Sequence, residues 1–226
     1  MPKAKRVEYK FPLHLPNILT MSRVVLVPLF TGAFYYDAPW AAPLCAFTFI
    51  FAASTDWLDG YLARRWQQQS EFGAFLDPVA DKLMTSAALL LLAAAPPAQV
   101  GSRGLMVAPA IIITAREITM SALREWASAM SPEARKSVKV SALGKWKTAV
   151  VMIALSLLLV GRCEERVLVA AFGGCETVGG LTSVTAMRWA AGLLWAGAGM
   201  AMYSLIVYLG CVWSHFKVPV PVKKKE

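Results

Sequence analysis

The chain has 226 residues, of which 57% are hydrophobic and 16% are charged. A soluble domain has about 45–50% apolar and about 25% charged residues, so this composition excludes an ordinary soluble globule and a disordered chain. Four cysteines are too few for a scaffold built on disulfides. The net charge of +9 favours anionic partners such as lipid headgroups or phosphorylated substrates. The composition is that of an integral membrane protein.

Six apolar segments are long enough to cross a bilayer as helices, which takes roughly 20 residues each. They comprise residues 18–36, 40–64, 74–95, 104–126, 144–161 and 186–212. Lysine and arginine gather at one end of these spans, where the positive-inside rule places the cytoplasm. We therefore expect one all-α membrane domain at 18–213, a basic juxtamembrane segment at 1–17 and a basic tail at 214–226, with both termini cytoplasmic. Because the basic residues lie beside apolar spans, we do not expect a nucleic-acid partner.

Four aspartates lie in the second and third spans, where each charge costs at least about 2.5–3.5 kcal/mol on insertion scales. They are Asp56, Asp59, Asp77 and Asp81. Spacings of three and four put each pair on one face of its helix, and the short link WQQQSE predicts an antiparallel hairpin. The pairs should therefore face each other, roughly 6–12 Å inside the cytoplasmic end. Their repulsion predicts one or two bound divalent cations, Mg²⁺ or Mn²⁺, because carboxylate oxygens are hard ligands.

Small residues flank the aspartates. Gly60 and Ala63 follow the first pair and Gly73 precedes the second, which leaves room for a bulky group against the backbone. Arg64 lies just beyond, where it can meet a phosphate. A purely structural alternative is that the aspartates pair with neighbouring arginines and lysines and only hold the hairpin together. Four acids on facing helices exceed what such pairing needs.

Residues 56–81 spell the pattern D-x2-D-G-x2-A-R-x8-G-x3-D-x3-D. This pattern is similar, without a departure, to the signature of the CDP-alcohol phosphatidyltransferase family. The segments PNILTMSR at 16–23, AREITMSALRE at 115–125 and VSALGKWKT at 140–148 resemble members that use glycerol 3-phosphate as acceptor. The resemblance implies transfer of the phosphatidyl group from CDP-diacylglycerol to glycerol 3-phosphate, with release of CMP, in anionic phospholipid synthesis.

The resemblance also implies a six-helix bundle with a polar cavity open to the cytosol, a homodimer, and a place in the bacterial inner membrane. The four aspartates would hold two divalent cations, and Asp81 would also act as the general base. CDP-diacylglycerol would contact a group of residues on the first three spans, namely Asn17, Thr20, Arg23, Gly60, Ala63, Arg64 and Gly73.

The acceptor phosphate needs cations that the pyrophosphate of the donor does not occupy. Basic residues lie near the cytoplasmic ends of the fourth and fifth spans, and a serine there can add a hydrogen bond. We expect some of these residues to bind the phosphate, with Arg124 and Lys139 favoured. The full set is Arg116, Arg124, Lys139, Ser141, Lys145 and Lys147. The alternative is that they contact only lipid headgroups.

Other functions stay open at this point. Within the family the acceptor could instead be inositol phosphate, serine or a lipid alcohol, although the many basic residues favour a phosphorylated alcohol over serine. A divalent-cation transporter would also use acids, but transport sites typically lie near the midplane between repeats, and no repeat is visible. A lipid-binding subunit would explain the basic surface but not the aspartates.

Two further patterns concern packing. The pairs Gly192/Ala196 and Gly197/Ala201 predict close contact of the last span with another helix, most simply one of the same bundle. Cys163 and Cys175 lie in the long loop 162–185, and their spacing alone does not decide whether they form a disulfide.

Overall fold

The computed structural model describes the backbone of residues 15–66, 71–130, 142–163 and 183–213. These residues form six α-helices, whose bounds lie within a few residues of the six predicted spans. They are α1 (Leu15–Tyr35), α2 (Ala41–Trp66), α3 (Glu71–Ala94), α4 (Gly104–Met130), α5 (Ala142–Val160) and α6 (Val184–Trp213). A short 3₁₀ turn at Ala98–Val100 lies between α3 and α4. The all-α fold predicted from the sequence is confirmed.

Apolar surface covers the outside of the bundle. Three helices are long and apolar enough, by their described residues, to cross a membrane: α1 over Ile18–Tyr35, α4 over Gly104–Met130 and α6 over Val184–Trp213. Large side chains such as Phe47, Leu90 and Ile111 are exposed, which a water-facing surface would not favour but a lipid-facing one requires. The protein is therefore membrane-embedded, while six complete spans remain a prediction.

The helices close into a ring. In the order α5, α6, α4, α3, α1, α2 and back to α5, each helix packs against the next. α3 also touches α2 and α5 across the ring, so it contacts four of the other five helices. The helix that carries Asp77 and Asp81 is therefore the most central element of the bundle.

Two apolar clusters hold the ring together. The larger one takes buried side chains from every helix, including Phe30, Phe49, Leu92, Ile113, Leu155 and Leu194. The smaller one joins α4 and α6 nearer the predicted cytoplasmic end, through Met120, Leu123, Ala127, Tyr208 and Val212. Because lipid tails are as apolar as these side chains, close van der Waals packing provides the stabilisation.

At the opposite end of the bundle, a cation–aromatic contact joins the residues after α5 to the end of α1. The guanidinium of Arg162 lies 3.4 Å from the ring centroid of Phe34. The neighbouring Cys163 is buried with a free thiol, and burial raises its pKa to about 11. That thiol is therefore neutral at physiological pH. Cys175 lies outside the described residues.

The close approach of α5 and α6 depends on Gly197. A Cβ atom at this position would lie 2.6 Å from Cγ2 of Val151 on α5. A Cβ atom at Gly192 would meet no atom within 4 Å. The predicted packing of the small residues within the bundle is thus confirmed for Gly197, while Gly192 faces open space.

Substitution Gly197→Ala should therefore destabilise the protein, since the stiff valine cannot move aside and overpacking costs typically about 1–3 kcal/mol. Gly192→Ala is the matched control, and it should leave stability unchanged or slightly higher because alanine favours a helix. Thermal unfolding of both variants in the same detergent measures the difference. Equal melting temperatures would contradict the packing described for Gly197.

Candidate functional site

On every helix, polar side chains begin where the residues of the large apolar cluster end, in the direction of the predicted cytoplasmic end. These side chains are buried or half-buried, and together we call them the polar layer. The layer consists of Thr20 and Arg23 on α1, Thr55 on α2, Asp81 and Lys82 on α3, Thr114, Arg116 and Glu117 on α4, Lys147 on α5, and Ser204 on α6. On α4 and α6 it lies between the two apolar clusters.

A cavity of about 50 Å³ opens within this layer. Asp81 and Lys82 of α3 line it together with Glu117 of α4 and Lys147 of α5. Hydroxyl groups of Thr85, Ser86, Thr114 and Thr148 complete the polar part of the lining. One acid of the sequence motif therefore shares a small cavity with a second acid, Glu117, and with lysines from two helices, α3 and α5.

An ion cluster forms one wall of the cavity. Oε1 of Glu117 accepts hydrogen bonds from Nη1 of Arg116 at 2.8 Å and from Nζ of Lys147 at 2.6 Å. Nη2 of Arg116 donates to Oγ of Ser204 at 3.1 Å, which adds α6 to the cluster. Arg116 is only 3% exposed and Lys147 5%, and among the described side chains Glu117 supplies the opposite charge that their burial requires.

Local helix geometry explains how α4 contributes both charges. Arg116 and Glu117 are consecutive, so their side chains leave the helix about 100° apart. Arg116 thus reaches α6, while Glu117 reaches Lys147 on α5. Two charges of opposite sign on one turn of α4 therefore link it to α5 and to α6.

A second polar link joins α3 to α4. Nζ of Lys82 donates a hydrogen bond to Oγ of Ser121, and that hydroxyl donates to the backbone carbonyl of Glu117 at 2.9 Å. The residue after Asp81 is therefore tied to the same turn of α4 that carries the ion cluster. This link fixes α3 against α4 beside the cavity.

The structure describes the predicted metal-binding residues only in part. Asp81 is half-buried and lines the cavity, whereas the side chains of Asp56, Asp59 and Asp77 lie outside the described residues. The backbone places Asp56 directly after the buried Thr55, and Asp77 one turn before Asp81. The described side chains alone contain no group of three or more potential metal ligands.

The residues predicted to bind the nucleotide are also described in part. Thr20 and Arg23 are almost fully buried in the interior, facing away from lipid, and Gly73 is buried near the start of α3. The remaining four lie on α1 and α2, with side chains outside the described residues: Asn17, Gly60, Ala63 and Arg64.

The structure separates the predicted acceptor residues. Arg116 is buried in the ion cluster, whereas Arg124 is exposed two turns further along α4. Lys139 and Ser141 lie outside the described residues, as does the side chain of Lys145 on α5. Glu117 was not among the site residues predicted from the sequence. Its position next to Arg116 inside an apolar span was the available signal, since an acid there needs a partner.

Comparison with known proteins identifies the family. The CDP-alcohol phosphatidyltransferase family matches residues 13–208. The chain belongs to this family of transferases.

Named relatives come from plants and bacteria. The chain is 45% identical over 205 residues to a CDP-diacylglycerol–glycerol-3-phosphate 3-phosphatidyltransferase of the chloroplast and mitochondrion of Arabidopsis thaliana, covering 89% of the chain and 63% of that protein. It is 41% identical over 207 residues to the enzyme of the same name from Yersinia pestis (strain Pestoides F), covering 92% and 99%. It is 46% identical over 204 residues to a CMP-forming cardiolipin synthase from Oryza sativa subsp. japonica, covering 89% and 58%. The chain thus spans less than two thirds of the length of the first and third relatives.

The bond between Arg116 and Ser204 leads to a stability prediction. Ser204→Ala removes the acceptor of a buried guanidinium, and a hydrogen bond to a charged group contributes about 1.5–3 kcal/mol. We expect a lower unfolding temperature in detergent. Ser156→Ala is the control, because that hydroxyl bonds only to the carbonyl of Met152 on its own helix. If both variants unfold like the wild type, the ion cluster does not depend on α6.

Proposed function

We propose that this protein transfers the phosphatidyl group from CDP-diacylglycerol to glycerol 3-phosphate and releases CMP. The main support for this function is the composition of the polar layer. It combines Asp81 of the family motif with cations that suit a phosphorylated acceptor, at one level of a membrane bundle. The names of the Arabidopsis and Yersinia relatives support the same acceptor.

In the proposed reaction, a hydroxyl oxygen of glycerol 3-phosphate forms a bond to the β-phosphorus of CDP-diacylglycerol. The bond from that phosphorus to the CMP oxygen breaks, and CMP leaves with the electron pair. A hydroxyl is a weak nucleophile at neutral pH, so a carboxylate at the site should take its proton. Asp81 is the base we propose, because it lines the cavity in which the acceptor would lie.

The donor set fits divalent cations. Four carboxylates from two helices supply only hard oxygen ligands, which suit Mg²⁺ or Mn²⁺. We propose that Asp56, Asp59, Asp77 and Asp81 hold two such ions. When bound, the ions would neutralise the pyrophosphate and stabilise the charge on the departing CMP.

The donor lipid must keep its acyl chains in the bilayer while its nucleotide reaches the polar layer. We propose that the nucleotide binds the first three helices, where Gly60, Ala63 and Gly73 leave room and Arg64 contacts a phosphate. Asn17, Thr20 and Arg23 would complete this site from α1. The burial of Thr20 and Arg23 in the interior supports their part, since lipid-facing side chains could not reach a nucleotide inside the bundle.

For the acceptor phosphate we propose Lys147 as the innermost contact. Its ammonium has three donors, and Glu117 takes one of them. Arg116 would contribute indirectly, by holding the Glu117 carboxylate in place. The predicted residues closer to the cytosol would complete the phosphate site: Arg124, Lys139, Ser141 and Lys145.

A second candidate function is cardiolipin synthesis, in which phosphatidylglycerol would replace glycerol 3-phosphate as acceptor. The rice relative, at 46% identity, favours it. The cavity favours the first candidate, because it lies among helices and is lined by two lysines, Lys82 and Lys147. That setting suits a small phosphate monoester better than a phosphodiester with two acyl chains.

We further propose that the protein is a homodimer in the bacterial inner membrane, with both termini cytoplasmic. The end of the bundle at which α2 turns into α3 carries Arg64 and Arg65, as the positive-inside rule requires of a cytoplasmic side. A soluble acceptor such as glycerol 3-phosphate would reach the polar layer from that side.

An acceptor assay tests the proposal. Purified protein in detergent, given CDP-diacylglycerol and Mg²⁺, should release CMP with glycerol 3-phosphate and much more slowly with serine, inositol phosphate or phosphatidylglycerol. CMP and the lipid product are both measured. CMP release with phosphatidylglycerol but not with glycerol 3-phosphate would replace the first candidate by the second.

The proposed base gives a second prediction. Asp81→Asn should lower kcat by about 10²-fold or more, the typical contribution of general-base catalysis. The amide keeps the size of the side chain, so the unfolding temperature checks that the fold is intact. Asp37→Asn, an exposed acid at the opposite end of the bundle, should retain full activity. Near-normal turnover by Asp81→Asn would rule out its role as base.

A further inference from the structure

Glu117 can accept more hydrogen bonds than the proposed mechanism uses. A carboxylate offers about four lone-pair sites on its two oxygens. Oε1 accepts from both Arg116 and Lys147, and among the described residues Oε2 accepts no hydrogen bond. The side chain is 30% exposed and lines the cavity that also contains Asp81. Glu117 therefore lies beside this cavity with an oxygen that no described residue uses as an acceptor.

The two cations determine the orientation of that oxygen. Arg116 is anchored on Ser204 of α6, and Lys147 comes from α5, so Glu117 is fixed from two sides. A carboxylate already oriented in this way loses little entropy when it accepts another hydrogen bond. Because its charge is compensated by two cations, it does not repel a phosphorylated ligand as a lone acid would.

The chemistry of the acceptor supplies the matching donor. Glycerol 3-phosphate has one hydroxyl that reacts and a second on the adjacent, middle carbon. With the reacting hydroxyl at Asp81 and the phosphate toward Lys147, the middle hydroxyl would lie between them, and Glu117 lines the same cavity. Lys147 contacts Glu117 directly, so two neighbouring side chains would bind the phosphate and this hydroxyl.

We propose that Oε2 of Glu117 accepts a hydrogen bond from the middle hydroxyl of glycerol 3-phosphate. Glu117 is then a specificity residue that selects acceptors with a second hydroxyl beside the reacting one. The inference rests on the proposed function, since it takes glycerol 3-phosphate as the acceptor. A site built to bind a hydroxyl discriminates strongly against an analogue that lacks it, because its polar group is left unpaired.

The test uses 3-hydroxypropyl phosphate, which has the reacting hydroxyl and the phosphate but lacks the middle hydroxyl. Wild-type protein should prefer glycerol 3-phosphate in kcat/KM by on the order of 10- to 100-fold, as expected for a hydrogen bond to a charged group. In Glu117→Gln the amide oxygen stays with the two cations and an NH₂ group replaces Oε2. The preference should fall to within about threefold, mainly through loss of activity with glycerol 3-phosphate.

A purely structural role for Glu117 predicts a different result. If it only holds Arg116 and Lys147, Glu117→Gln lowers activity with both acceptors by the same factor, and the unchanged preference overturns the proposal. An absence of preference in the wild type overturns it as well. No CMP release by the wild type with glycerol 3-phosphate would instead refute the proposed function itself.

Two further variants complete the experiment. Glu125→Gln removes the same charge from an exposed position on α4, and it should change neither activity nor preference. Glu117→Asp keeps the charge but withdraws the carboxylate by one methylene group, and it serves if the glutamine variant does not fold. It should reduce activity with glycerol 3-phosphate more than activity with the analogue. Equal reduction would count against the proposal.

Discussion

The layout of this protein follows from the cost of placing charge among apolar helices. A buried ion is tolerated only where an opposite charge or a hydrogen-bond partner meets it. Glu117 meets this requirement for two cations at once, through one oxygen that contacts Arg116 and Lys147. Because these groups come from different helices, the ion cluster also sets how α4, α5 and α6 lie against each other. Asp81, Lys82 and Thr114 of the polar layer line the same cavity as this contact.

The position of the site along the bundle follows from the gap between the two apolar clusters. The large cluster takes side chains from all six helices, and the smaller one joins α4 and α6. The polar layer begins where the large cluster ends, so under the proposed function substrates would enter from one side while the apolar packing is preserved on the other. A lipid donor with acyl chains in the bilayer and a soluble acceptor from the cytosol can both reach such a level. A site at the midplane would be out of reach for the acceptor.

Much of the fold was predictable from the sequence, because bilayer thickness sets the length of a span. The predicted segment 104–126 became the helix Gly104–Met130, and the two helices on either side of the link WQQQSE end at Trp66 and begin at Glu71. The role of Gly197 was also predictable, since small residues four positions apart let the backbones of two membrane helices approach closely. These features depend on local sequence and on general properties of membranes.

The partners of individual charges were not predictable. Arg116 and Arg124 were predicted to act in one phosphate site, but eight residues along a helix leave them about 80° apart around its axis. That rotation buries Arg116 and exposes Arg124. Glu117 was missed because its partner Lys147 lies 30 positions further along the chain. Only the packing of α4 against its neighbours brings these groups together.

Under the proposed function, the four aspartates of α2 and α3 hold divalent cations. Mn²⁺ binding to the purified protein without substrates, followed by electron paramagnetic resonance, measures this property. We expect saturable binding of about two ions per chain, reduced by Asp77→Asn and unchanged by Asp37→Asn. Absence of saturable binding, or equal binding by the wild type and the Asp77→Asn variant, would contradict it.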